Sequence, residues 1–328
     1  AGTDRLHVEF YRRVLSEGTP KMRLWVMVGG REDIRREELF ASPPDTGSVG
    51  GFLTVRAIKL GIDGALGSRS AWLMEPYADD PGNYGQETLP VGDLLAISKR
   101  ALETGYQVSV HAIGDRANRE VLDAFEEAFS GNPSRAVGAR FRIEHAQILD
   151  SADIPRFGKM GVIASVQGIH CTSDRPWAAS RLGEARIAEG AYVWRKLRDG
   201  GAVIVNGTDT PVEAVDPLKC FYGSVTRQQP DGTPPGGFDP GQKMTREEAL
   251  RSYTIDAAYG IFTEHDLGSL TPGKLADLVI LSEDILSIPE PEILSTVVLA
   301  TMVDGRFVFI RSGSPADGSG IDPARGPK

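Results

Sequence analysis

The sequence predicts an α/β fold: a (β/α)8 TIM-type barrel, with about six of its strands legible, followed by part of a small β-domain. Three observations carry this. First, near-continuous apolar runs alternate with segments of helical periodicity, the signature of a parallel sheet covered by helices. Second, several apolar runs end in a residue that can bind a metal or move a proton: Lys59, His111, His145 and Asp209. A closed barrel gathers its active site from the C-terminal ends of separate strands, whereas a doubly wound sheet binds ligands in one crevice. Third, side chains alternate between the two faces of a strand. Lys59 shares its face with Ala57 and Val55, and His111 shares its face with Ser109 and Gln107, while the larger aliphatics fall opposite. His145 shares its face with Ile143 and Phe141, so that strand supports the pattern less well.

In chain order, the strand candidates are 22–28, 54–62, 106–112, 139–146, 161–167 and 202–208. A helical pattern covers 91–105 and ends at Gly105, and another covers 118–131. A third, 151–161, opens on Ser151 as N-cap with Asp153 in its first turn. Residues 192–201 read as a helix ending in two glycines, and 245–261 as one helix whose Thr245 and Glu248 form a capping box. The opening stretch 5–18 also reads as a helix. Beyond residue 262 the pattern turns to β: a run within 267–281, then two runs within 297–310 around Asp304-Gly305, a strong hairpin signal. The expected organisation is a partial barrel over 1–262, a β-sandwich portion over 263–311 and a disordered tail over 312–328.

Composition narrows the function. The 328 residues carry a formal net charge of −9, which argues against nucleic-acid or anionic-membrane partners. No window approaches the ~18 apolar residues of a membrane span. Cys171 and Cys220 lie far apart and form no CxxC, which argues against a disulfide framework and a cysteine-based zinc site. The expected partner is a small-molecule substrate; a homo-oligomer stays open, and the working expectation for compartment is the cytoplasm.

Two histidines, an aspartate and a lysine on separate strands point to a metal hydrolase. Neutral imidazoles suit zinc and similar ions, and a bound ion lowers the pKa of water towards ~7. His111, His145 and Asp209 are the candidate metal ligands, and Asp209 is also the candidate proton carrier. Lys59 has two readings. An ammonium beside a divalent cation is repelled, but a neutral or CO2-carboxylated amine is not, and a carbamate can bridge two metals. The alternative is a barrel lysine satisfied by Asp63 or another carboxylate. Substrate-binding candidates are Arg69 in the Gly-rich loop, Gln167, His170 and Arg227. Gly64 and Gly67 read as tight-turn residues, and Arg116 as a cap or ion-pair partner. His7 and His265 read as surface residues.

The stretches KLGIDGALGSRSAWLMEPYADDPGNYG, VHAIGDRANREVLDAFE, RIEHAQ, GTDTPVEAVDPL, MTREEALRSYTIDAAYGIF and GSLTPGKLADLVIL together resemble the amidohydrolase superfamily. More narrowly they resemble its family 3, which includes N-substituted formamide deformylase-like enzymes. The resemblance runs from about residue 20 to 310. It implies a metal-dependent barrel hydrolase with Lys59, His111, His145 and Asp209 at the family's ligand positions. The family's H-x-H pair has no counterpart here. The expectation is a chain that begins after the second barrel strand, with an incomplete metal site and an open sheet edge. The expected function is hydrolysis of a C–N bond in an amide or formamide-like substrate, with one or two zinc ions. The alternatives are a cyclic amide hydrolase or deaminase of the same superfamily, and an inactive fragment or non-enzymatic scaffold. Lys59 is expected to point into one pocket with His111, His145 and Asp209, with one side of that pocket missing.

Overall fold

The computed structural model describes residues 2–18, 20–29 and 39–314, and every structural statement below concerns these. The chain enters through helix α1 (Arg5–Glu17), whose N-cap Asp4 accepts a hydrogen bond from the His7 amide. Strand β1 (Leu24–Gly29) and the short β2 (Asp45–Gly47) lead to β3 (Leu53–Gly61), which pairs in parallel with β1 and antiparallel with β2. Helix α2 (Val91–Thr104) ends at Gly105, which takes φ 84°, the left-handed conformation glycine adopts without strain. Then come β4 (Gln107–Ala112), α3 (Asp115–Gly131), β5 (Arg142–His145), α4 (Ile154–Met160) and β6 (Ile163–Val166). Helices α5 (Arg175–Leu182), α6 (Glu184–Gly190) and α7 (Trp194–Asp199) precede β7 (Ile204–Asn206). The main path of the sheet runs β1-β3-β4-β5-β6-β7, and the pairs from β1–β3 to β5–β6 are parallel. This is the barrel-type α/β order the sequence predicts, with six strands on the path among the described residues.

Helix boundaries depart from expectation where side chains find better partners. Helix α4 starts at Ile154, not at Ser151. Pro155, which lacks an N–H, sits in the first turn, and the Asp153 carboxylate bonds Arg119 (2.6 Å) and Arg156 (3.0 Å) rather than capping amides. Helix α7 starts at Trp194 because Tyr192 has φ 55°, outside the helical region. The stretch after α8 (Pro217–Thr226) divides into α9 (Arg246–Tyr253) and α10 (Ile255–Gly260). At the break, Thr254 has φ −120° and ψ −97°, and its hydroxyl back-bonds the Leu250 carbonyl at 2.8 Å. The predicted capping box is present: the Glu248 amide donates to Thr245 Oγ1 and the Thr245 amide to Glu248 Oε2.

The β-rich end forms an antiparallel sheet of β8 (Leu278–Leu281), β9 (Val298–Val303) and β10 (Arg306–Ile310), ordered β10-β9-β8. Asp304 (φ 52°) and Gly305 (φ 75°) turn β9 into β10, both in the left-handed region that a two-residue hairpin needs. Of the expected tail, residues 315–328 lie outside the described residues. Two compact units emerge. One comprises residues 1–166 and 173–205; the other comprises 167–172 and 206 onward. No helix among the described residues is long and apolar enough to cross a membrane.

Gly158 on α4 is a fixed contact point, since a Cβ there would lie 2.0 Å from the Gly200 carbonyl oxygen. Gly158→Ala is therefore expected to lower stability by about 1–3 kcal/mol, despite the better helix propensity of alanine. A urea unfolding midpoint no lower than the parent's would refute the contact. Cys171 and Cys220 are both buried thiols that form no disulfide, and burial pushes the Cys220 thiol up to about 11. Neither thiol should react with a disulfide reagent at neutral pH until the chain is unfolded, when both should react.

Candidate active site

The site begins with register. In the parallel pairing, Lys59 lies opposite Ser109 and Ser109 opposite Arg142. Two residues further on, Gly61 lies opposite His111, His111 opposite Glu144, and Glu144 opposite Ser165. Opposed residues share a face, so Lys59, His111, Arg142, Glu144 and Ser165 stand on one side of the sheet. Ile58, Leu60, Val108, Val110 and Ile143 take the other side and are buried. Lys59 thus faces the same way as His111.

His145 belongs by parity to the aliphatic face, yet its imidazole meets that of His111. The ring centroids are 4.6 Å apart, nearly edge to face. The backbone brings this about. His145 takes φ 76° and Ala146 φ 43°, both left-handed, so the chain leaves the strand at His145 and the side chain swings across.

Burial first, then the neighbouring His145 and the charge of Lys59, push His111 down to about 3. It is a neutral imidazole at pH 7, the form that binds metals. Its Nε2 lies 3.4 Å from Asp63 Oδ1. Burial raises the Asp63 carboxyl to about 7, against the pull of the Gly114, Trp72 and Ile113 amides and of Lys59. Glu144 is enclosed, and burial works to raise it. The Arg142 guanidinium overcomes this, bonding through Nε (2.8 Å) and Nη2 (3.0 Å), and holds Glu144 at about 2 with help from Lys59 and Ser165. Glu144 did not figure among the sequence candidates, although parity on β5 already places it, and not His145, beside His111.

Asp209 and His170 belong to the second unit. Asp209 is half-buried at φ 55°, and its charge opposes the burial that lowers the His170 imidazole. Gln167 is buried in the same unit. Arg227 is wholly buried at the C-cap of α8; its Nε donates to the Phe238 carbonyl and its guanidinium lies 5.6 Å from the Phe238 ring centroid. Arg69 forms a two-point bond with Asp79, which Arg181 also engages. Its own φ is 57°, so it supplies the left-handed turn expected of Gly64 and Gly67. Those glycines serve close approach instead, since a Cβ would lie 2.2 Å from Ser70 Oγ at Gly64 and 3.2 Å from the Trp177 ring at Gly67.

A metal ion is the group this family context implies, and the donor chemistry bears on it directly. His111 and His145 fit as two imidazole ligands, adjacent and with His111 neutral. Among the described residues, no group of three or more His, Cys, Asp or Glu side chains is placed to hold an ion.

With the geometry in place, the comparisons identify the class. The sequence profile of the amidohydrolase family matches residues 6–309, and the chain belongs to that family. It is 39% identical over 258 residues to Protein LONG AFTER FAR-RED 3 of Arabidopsis thaliana, covering 79% of this chain and 43% of that one. It is 28% identical over 312 residues to N-substituted formamide deformylase of Arthrobacter pascens, covering 93% and 56%. Among solved structures, an uncharacterized metal-dependent hydrolase from Pyrococcus furiosus superimposes with a TM-score of 0.75 at 32% identity, covering 87% of this chain and 56% of that one. The chain spans about half the length of the curated relatives it matches.

The Arg142–Glu144 pair yields a direct test. Glu144→Gln leaves a buried guanidinium without its counter-charge and should cost about 3–5 kcal/mol in urea unfolding. Adding Arg142→Met should recover part of that loss. A double variant less stable than the single would refute the assignment.

Proposed function

We propose that this chain carries part of the active site of a metal-dependent hydrolase that cleaves a C–N bond in an amide or formamide-like substrate. The observation that supports it most is the pairing of two imidazoles at neighbouring strand ends, one of them neutral at pH 7. His111 and His145 would hold a divalent ion, zinc by donor chemistry, with Lys59 and Asp209 as further ligands from the family pattern. Such an ion, when bound, acidifies water and polarises a carbonyl. The chain's own residues do the rest. His111 offers a lone pair without first losing a proton. Glu144, gripped by Arg142 and held at about 2, remains an anion across neutral pH. Asp209 accepts the proton of the attacking water on its carboxylate and passes it to the leaving nitrogen. Lys59, if carboxylated, turns from a cation into an anionic ligand.

Calorimetric titration of the chain with Zn²⁺ tests this together with product release from N-substituted formamides and simple amides. The expected result is zinc binding that His111→Ala or His145→Ala weakens at least about 10-fold. Product release should accompany binding and fall with Asp209→Asn. Unchanged zinc affinity in both histidine variants would overturn the assignment. Turnover confined to cyclic amides or amino-purine substrates would move the reaction to another branch of the superfamily.

A further inference from the structure

Asp63 is a buried acid whose side chain has no exposed surface. Its carboxylate collects three backbone donors from two separate places in the chain. Oδ2 accepts the amides of Trp72 (3.0 Å) and Gly114 (2.8 Å), Oδ1 accepts the amide of Ile113 (3.1 Å), and Oδ1 also faces His111 Nε2 at 3.4 Å. The first donor is the end of the Gly-rich loop, and the next two lie just past β4, immediately after His111. His111 Nε2 is itself fully enclosed. At 3.4 Å the two atoms are in ion-pair range rather than at hydrogen-bond distance.

We propose that Asp63 is the positioning residue for His111: its carboxylate is locked by backbone amides and in turn fixes where the imidazole points. Carboxylates oriented in this way against ligating histidines tune them in metal sites generally. The amides leave the carboxylate no freedom to turn. Trp72 N and Gly114 N hold Oδ2, and Ile113 N reaches both oxygens, at 3.1 Å to Oδ1 and 3.3 Å to Oδ2. The junction is tight on its far side too, since a Cβ at Gly114 would lie 1.9 Å from the Trp72 carbonyl oxygen. The significance of this rests on the hydrolase reading; the contact and its test do not.

The alternative is that Asp63 merely ties the loop down. Asp115 provides the control, because its carboxylate accepts the Met74 amide at 2.9 Å in the same junction without meeting His111. The experiment is NMR of the full metal-free chain with ¹⁵N-labelled histidine. Asp63→Asn should shift the His111 ring nitrogens, while Asp115→Asn should lower the melting temperature and leave them in place. His111→Gln reads the contact from the other side and stands in should Asp63→Asn fail to fold. It should move the amide signals of Ile113 and Gly114 but not that of Met74. His111 ring signals unmoved by Asp63→Asn overturn the proposal, as do ring signals moved equally by Asp115→Asn. Unmoved Ile113 and Gly114 amides in His111→Gln overturn it as well. Zinc-dependent turnover without these shifts would remove only the role of Asp63; the shifts without turnover would remove only the hydrolase reading.

Discussion

A parallel strand has no freedom in which side chains it shows to which layer once one face is filled with aliphatics, and the site rests on that constraint. Ile58, Leu60, Val108, Val110 and Ile143 are at most 5% exposed and occupy the helix-facing side of β3, β4 and β5. A slip of one residue in any of these strands would carry that set onto the polar face and put Lys59, His111 or Glu144 in the aliphatic layer. Each buried side chain of this kind is worth roughly 1.5–3 kcal/mol, so no slip is tolerable. The polar residues are therefore placed by their apolar neighbours. Lys59 and His111 face one another's layer because Leu60 and Val110 must not.

Concentrating charges on one face creates a second problem, which the structure resolves locally. Lys59 and Arg142 bring positive charge, and Glu144 and Asp63 bring acids. Arg142 takes both oxygens of Glu144, so the enclosed carboxylate is fully matched. Asp63 is matched by backbone amides, which carry no net charge and cannot drift away. His111 answers burial by giving up its proton. The outcome is a face where Glu144 is already committed to Arg142 and two adjacent imidazoles, with His111 neutral, are left for chemistry.

The sequence disclosed most of this because most of it follows from period and residue type. Four of the six strands on the sheet path fall within the stretches that apolar runs marked and β1 and β3 overrun theirs by one residue, while the Asp304-Gly305 turn and the Thr245 capping box are where local chemistry puts them. Helix starts were less legible wherever a side chain had a long-range alternative, as Asp153 has in Arg119. Glu144 was overlooked because RIEH draws attention to its histidine, although the alternation of β5 turns the preceding residue inward. Asp63 could be named only as a neighbour of Lys59. Its real partners are the amides of residues 72, 113 and 114, and no local pattern announces a contact across 50 positions.

His145 shows how a residue of the wrong parity can still be brought into a site. Left-handed φ values at His145 and Ala146 each cost on the order of 1–3 kcal/mol unless the surroundings impose them. Here they are imposed from the next three residues. The Gln147 carbonyl accepts the Tyr192 amide (2.8 Å), the Ile148 amide donates to Ile113 (2.9 Å) and the Leu149 amide to Gly190 (2.9 Å). The Gln147 side chain donates to Asp174 and to the Tyr192 hydroxyl, each at 2.8 Å. Three backbone bonds and a partly buried polar triangle leave the chain after β5 no other course, and the strained corner is where the strand's direction and that course must meet. The Ile113 carbonyl in this clamp belongs to the same residue whose amide holds Asp63. The two imidazoles are thus steered from opposite edges of one residue, His111 through the carboxylate its amide grips and His145 through the strand its carbonyl anchors.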